Sequence, residues 1–223
     1  MSGLILIVEN YPGRGDCIAR LMRQFCIPFE VLTSDGHTIT LSSSVNGVIL
    51  SGGPQSVIDI ESDAGIRLRP VLEVIDQAAH RRLPVLGICL GHQLISTWGG
   101  GKVAKMREKV VGFQDVNIFD DKDAVLSALP SLRSSVFQYH EDYVASLPAG
   151  WQILAKSETC MVEAVRAPDL PIWGVQFHPE IIESDGEAIV KGQPPPLQLW
   201  DSARDVDGPY LIRAFSELCG LTD

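Results

Sequence analysis

Residues 84–93 read PVLGICLGHQ, an apolar run that leads without a spacer into Gly87-Ile88-Cys89-Leu90-Gly91 and from there into a helical pattern. Few arrangements suit such a segment. Residues 83–88 fit a strand buried on both faces. Glycine two positions either side of Cys89 lets a strand and its following helix approach closely across a sharp turn. A strand–turn–helix elbow of this kind projects one strained side chain at the C-terminal edge of a sheet. The free N–H groups that open the helix then favour a thiolate. A cysteine that only fills a core needs neither glycine, so Cys89 reads as a nucleophile.

The remaining sequence supplies a sheet for this elbow. Residues 4–8 (LILIV), 29–32 and 47–50 read as strands, and Ile18, Leu21, Met22 and Phe25 recur at helical spacing. Residues 65–82 read as a helix with Ile66, Leu68, Val71, Leu72 and Ile75 on its buried side. A second helix over 90–98 stops at Gly99-Gly100-Gly101. Strands alternating with helices predict an α/β three-layer sandwich, its central sheet mainly parallel and covered by helices on both faces. The runs 103–105, 115–119, 143–146, 151–156, 162–166 and 172–177 are short and more antiparallel in character. Residues 183–207, with three consecutive prolines, read as a surface insertion. A closing helix starts at Gly208 with Pro209 in its first turn. A single domain over 1–223 is expected.

Composition narrows the function classes. A net charge of −10, from 28 acidic and 18 basic residues, disfavours a nucleic-acid surface, which needs clustered Lys and Arg. The apolar runs are too short to span a membrane, and the start lacks the pattern of a secretory signal. Cys17, Cys26, Cys89, Cys160 and Cys219 show neither a CxxC pair nor zinc-ligand spacing. The expectation is a cytoplasmic protein in a reducing compartment, with no metal, membrane or nucleic-acid partner.

A nucleophile needs a base and an oxyanion site. His178-Pro179-Glu180 closes the run 172–177, at the strand edge where open α/β sheets place their chemistry. Glu180 can accept from one ring nitrogen while the other faces the thiol. His37, His80, His92 and His140 are weaker candidates. His92 lies in the elbow helix, too close in sequence to aim back at Cys89, whereas His140 can line the pocket. For a tetrahedral oxyanion, the N–H of Leu90 is one donor, and the loop Ser51-Gly52-Gly53-Pro54 can bring a second.

Taken together, VILSGGP (48–54), GICLGHQ (87–93) and GVQFHPE (174–180) resemble the motifs of class I, triad-type glutamine amidotransferase domains along nearly the whole chain. The resemblance implies catalytic Cys89, His178 and Glu180, a γ-glutamyl thioester on Cys89, and release of ammonia to a synthetase. It implies Gly53 and Leu90 as oxyanion donors and Gln93 at the amino-acid end of glutamine. Gly112 and Phe113 match a loop that binds that end through its backbone. Ile18-Ala19-Arg20-Leu21, Ser157-Glu158-Thr159-Cys160 and the Ser-Gly-Gly-Pro loop look most like the glutaminase part of GMP synthetase. Glu9-Asn10-Tyr11 and Phe137-Gln138-Tyr139-His140 are similar to the glutaminase subunits of anthranilate and aminodeoxychorismate synthases.

The chain has no Gly-x-x-x-x-Gly-Lys phosphate loop. No cofactor is expected in it, and ATP and Mg are expected only in a separate partner synthetase. The competing readings are a stand-alone γ-glutamyl hydrolase and a catalytically silent regulatory subunit.

Overall fold

Alternate residues of the first strand face opposite sides of the molecule, and they divide its interior in two. The computed structural model describes residues 3–60, 65–192 and 206–221. In β1 (Leu4–Glu9), Ile5 and Ile7 pack with Ile18, Leu21 and Met22 of α1 (Asp16–Gln24) and with Leu211, Ile212 and Phe215 of α5 (Gly208–Leu218). Leu6 and Val8 point the other way, onto Val71, Val74 and Ile75 of α2 (Arg69–His80) and Leu94 and Ile95 of α3 (Leu90–Trp98). This period-2 split, with both faces apolar, is what a strand covered by helices on two sides requires.

The remaining strands are β2 (Phe29–Thr33), β3 (Val45–Leu50), β4 (Val85–Ile88), β5 (Lys102–Ile118), β6 (Arg133–Ser146), β7 (Gln152–Lys156), β8 (Ala164–Arg166) and β9 (Ile172–Val175). Among the described residues they form one nine-stranded sheet in the order β2-β1-β3-β4-β9-β8-β7-β5-β6. The pairs from β2 to β9 are parallel, and those from β9 to β6 antiparallel. The sheet is therefore mixed, with a parallel half that carries the helices and an antiparallel half that extends it.

β9 returns from the antiparallel half to lie beside β4, with Leu86 opposite Trp173 and Ile88 opposite Val175. Cys89 N donates to Val175 O at 2.8 Å, which continues that ladder to the elbow. The C-terminal ends of β3, β4 and β9 are thus neighbours.

Several expectations change on contact with the structure. The short runs 103–105 and 115–119 fall, up to Ile118, in one 17-residue strand, β5, which pairs with the 14-residue β6 as a long hairpin. Its register shifts between Lys105 and Val110, so the polar stretch MREK there is an irregularity within the strand and not its end. The helix expected over 65–82 starts as a 3₁₀ turn at Gly65–Leu68 and becomes α-helical only at Arg69, with Pro70 in its first turn. Proline lacks the N–H that a helix interior needs. Ile66 consequently lies outside the buried stripe and is half exposed.

The region expected as a surface insertion begins as α4 (Glu183–Lys191). Its Gly186 sits against Phe113 and Phe137, and its Ile189 and Val190 join the same apolar cluster. Residues 193–205 of that expectation lie outside the described residues. No helix among the described residues is long and apolar enough to cross a membrane.

Candidate active site

Cys89 links β4 to α3 with φ 51° and ψ −102°, a positive φ on a residue that is not glycine. Holding such a conformation costs about 1–3 kcal/mol. Ile88, Leu90 and Leu94 around it are at most 1% exposed, and each contributes about 1.5–3 kcal/mol by burial, so the packing outweighs the strain. The flanking glycines are needed for space. A Cβ on Gly87 would lie 2.5 Å from the backbone of Gly91, and one on Gly91 would lie 2.5 Å from the carbonyl oxygen of Leu50. The elbow can sit this tightly on the sheet only with glycine at both positions.

The thiol has two hydrogen-bond contacts. Cys89 Sγ donates to the carbonyl of Tyr139 at 3.8 Å and accepts from Gln176 Nε2 at 3.7 Å. His178 follows β9, and its Nδ1 donates to Glu180 Oε1 at 2.8 Å. The two side chains are only 14% and 4% exposed. With Nδ1 engaged by Glu180, the ring meets the thiol through Nε2. That nitrogen makes no hydrogen bond of good geometry, although the thiol interacts with the ring. Contacts of this kind commonly tighten when substrate binds. Burial works against an imidazolium here. The charge of Glu180, then that of Cys89, with the thiol's interaction with the ring and the hydrogen bond to Glu180, outweigh it, and His178 ends well above the usual histidine range.

The loop after β3 closes the other side. A Cβ on Gly52 would lie 2.9 Å from His178 Cε1 and 3.7 Å from Cys89 Cβ, and one on Gly53 would lie 2.8 Å from Leu90 Cδ2. Gly53 therefore abuts Leu90, and the loop lies directly over the Cys89–His178 pair. Asn10, at the end of β1, holds this loop at both ends. Its backbone N–H donates to Ser51 Oγ at 3.0 Å and its Nδ2 donates to the Ser51 carbonyl, while Gln55 Nε2 donates to the Asn10 carbonyl at 2.7 Å.

The other expected site residues are distributed unevenly. Gln93 is buried, and its Nε2 donates to the Asp142 carbonyl at 3.1 Å and to Gln176 Oε1 at 3.3 Å. His140 is buried on β6 with Nδ1 3.1 Å from the Asp142 carbonyl, and burial pushes it down to about 4. It is therefore a neutral ring whose Nδ1–H donates, and the charge of His178 reaches it. Gly112 and Phe113 are not in a loop. They lie within β5, opposite Gln138 and Phe137, and the Phe113 ring meets Phe137 edge-on at 5.0 Å.

His92 is fully buried behind Gly174 and is pushed down to about 3 by burial and by His140, while His37 and His80 are exposed beside Asp35 and Asp76. Among the described residues no group of three His, Cys, Asp or Glu could hold a metal ion.

Two contacts escaped sequence reasoning. Gln176 precedes His178 by two positions, and in extended backbone that spacing places both on one face, a signal present in the sequence. Asn10 carries no such mark, because its loop-holding bonds span more than forty residues of sequence.

Comparison with known proteins places this geometry in context. A model of the family described as glutamine amidotransferase class-I matches residues 6–191. The chain is 37% identical over 218 residues to a glutamine-hydrolyzing GMP synthase subunit of Thermococcus kodakarensis, covering 97% of this chain and 99% of that one. It is 34% identical over 191 residues to the protein of the same name from Methanocaldococcus jannaschii, covering 84% and 94%. In fold it is similar to the crystal structure of a glutamine amido transferase from Methylobacillus flagellatus (TM-score 0.73, 23% identity, 99% and 94% covered). A second is a glutamine amidotransferase from Thermotoga maritima (TM-score 0.71, 20% identity, 99% and 95% covered).

Proposed function

The chain belongs to the glutamine amidotransferase class-I family, and from that premise we propose that it is the glutaminase component of a two-subunit GMP synthase, working in the cytoplasm as a single domain. The observation that carries the reading is the convergence of Cys89, from the end of β4, with the His178–Glu180 pair from the end of the adjacent β9.

In this reading His178 Nε2 takes the Cys89 proton while Glu180 holds the ring by Nδ1. The sulfur attacks the side-chain amide carbon of glutamine, and the N–H groups of Gly53 and Leu90 hold the oxyanion. His178 then protonates the departing nitrogen, ammonia leaves, and water cleaves the thioester to give glutamate. Gln93, its Nε2 already committed, meets the α-ammonium of glutamine through Oε1. His140 lines the same pocket, and Gly112 and Phe113 shape the hairpin wall behind it.

Relatives named as glutamine-hydrolyzing subunits of GMP synthase, matched over most of both chains, support a separate synthetase as the ammonia acceptor. ATP and Mg would be held there. Labelling with a glutamine-like chloroketone, followed by mass spectrometry, tests the nucleophile. Modification of Cys89, and loss of at least about a thousandfold of activity in Cys89→Ser, are expected. Label on a different cysteine, or an active Cys89→Ser enzyme, would overturn the assignment. Equal turnover of N-substituted γ-glutamyl amides would point to a stand-alone hydrolase, and a glutaminase rate unaffected by any synthetase would remove the dependence on a partner.

A further inference from the structure

We propose that Gln176 is a further catalytic residue, whose side-chain amide donates to the Cys89 sulfur and holds the negative charge that forms there, with Gln93 as the residue that orients it. The proposal rests on Cys89 being the nucleophile.

A thiolate at the start of α3 could be expected to draw its hydrogen bonds from the helix's free N–H groups. Cys89 occupies the N-cap position, yet its side chain makes no capping hydrogen bond. The helix acts on the sulfur only through its field. Besides the His178 ring, Sγ has two contacts, and of these the Tyr139 carbonyl can only accept. It suits a thiol and repels a thiolate. Once the proton has gone to His178 Nε2, that ring faces the sulfur as a cation, and Gln176 Nε2 at 3.7 Å is a second donor, one that stays when the imidazolium gives its proton to the leaving nitrogen. Gln176 is fully buried, and a hydrogen bond to an ion in a low-dielectric site is worth about twice a neutral one.

The direction of the Gln176 amide follows from its neighbours. The carbonyl oxygen of Asp142 can only accept, so the group of Gln93 facing it at 3.1 Å must be the NH₂. The same nitrogen reaches Gln176 at 3.3 Å, and the atom it meets there must be an acceptor, Oε1. Nε2 of Gln176 is then the atom turned to the sulfur. A main-chain carbonyl thereby fixes two amides in series, and a reversed Gln176 would present lone pairs to an anion. The titratable groups around the sulfur are His178, held by Glu180, and the neutral His140 beyond it; Cys17 feels the charges of Asp185 and Glu180.

Protons and electrons balance at each step. The S–H bond breaks, its proton goes to His178 Nε2, and the electron pair stays on sulfur, facing the Gln176 N–H. When the C–S bond forms, charge moves to the substrate oxygen and the contact weakens. It is restored when the thioester breaks and sulfur leaves. Stabilising a thiolate lowers its intrinsic nucleophilicity, but with a Brønsted slope of about 0.4–0.5 the gain in thiolate fraction is larger near neutral pH.

The test is the rate of Cys89 alkylation by iodoacetamide against pH, without glutamine, in the wild type, Gln176→Met and Gln93→Met. Circular dichroism and thermal melting check that each variant is folded. Gln176→Met should move the rise in alkylation to higher pH by about one unit and lower kcat/KM at pH 7 about threefold, with recovery at higher pH. Gln93→Met, which leaves the contact residue in place, should move the profile the same way by less.

A folded Gln176→Met protein with the wild-type profile overturns the proposal, because a packing defect would cut activity without moving the pH dependence. If Gln176→Met does not fold, an unmoved profile in Gln93→Met overturns it. The two readings fail separately. An active Cys89→Ser enzyme, or alkylation of another cysteine as the inactivating event, defeats the nucleophile assignment. An inactive Cys89→Ser protein beside an unmoved Gln176→Met profile defeats only the role of Gln176.

Discussion

Glu163 is wholly buried, just ahead of β8. Burial raises its carboxyl to about 7, against hydrogen bonds from Ser157 and Gln138. A group raised in this way stabilises the fold below its unfolded value, near 4.5, and loses that contribution as pH rises through about 7. The amount is on the order of 3 kcal/mol. Glu163→Gln does not titrate and keeps the shape, so its melting temperature should exceed that of the wild type at pH 8.5 and fall to parity or below at pH 5. A gain of equal size at both pH values would refute this account.

Legibility at the residue scale depended on locality. The elbow at Cys89 announced itself through glycines two positions away, and the His178–Glu180 hydrogen bond through their shared tripeptide. The roles of Gln176 and Asn10 depend on contacts made across the fold. The loop expected at Gly112 and Phe113 proved to be strand.

Among the elements, the elbow tolerates least change. A Cβ at Gly91 would meet the backbone oxygen of Leu50 at 2.5 Å, which cannot move without displacing β3. Gly91→Ala should lose about 1–3 kcal/mol in urea unfolding and most of the glutaminase rate, because any relief displaces Cys89 or the loop after β3. By contrast, the ion pair between Arg20 of α1 and Asp185 of α4 is partly exposed, at 41% and 23%. Asp185→Asn should cost less than about 1 kcal/mol. A larger loss would mean that α4 is held chiefly by this pair and not by Gly186, Ile189 and Val190 against the hairpin.

Element boundaries were readable where apolar runs were clean, as in β1 and α3. The β5–β6 hairpin was not, because charged residues at its register shift look like a loop when only the sequence is seen. The first turn of the helix expected over 65–82 was misjudged because Pro70 suits the start of an α-helix and not its interior.

For the molecule as a whole, alternation of strands and helices made the parallel half of the sheet legible, and the antiparallel half could be read only as a change of character. Its strand order depends on pairings between distant segments, which no local pattern encodes. The ionisable interior sets one global expectation. His92 and His140, depressed to about 3 and 4 by burial, favour the fold above their unfolded value near 6.5 and withdraw that support as pH falls. Glu163, between about 4.5 and 7, and the raised His178, above 6.5, act in the opposite sense; the two histidines outweigh Glu163 below 6.5, and among these groups nothing offsets it and His178 above. Stability in urea should therefore peak near pH 6.5, and a midpoint that keeps rising to pH 9 would contradict this balance.

Strands β5 to β8 are made after β4 and before β9. On a ribosome adding about 5–20 residues per second, Cys89 is translated roughly 4 to 18 seconds before His178. On the proposed mechanism, the nascent protein carries the nucleophile without its base throughout that interval, and amide cleavage awaits the docking of the ninth strand against the fourth.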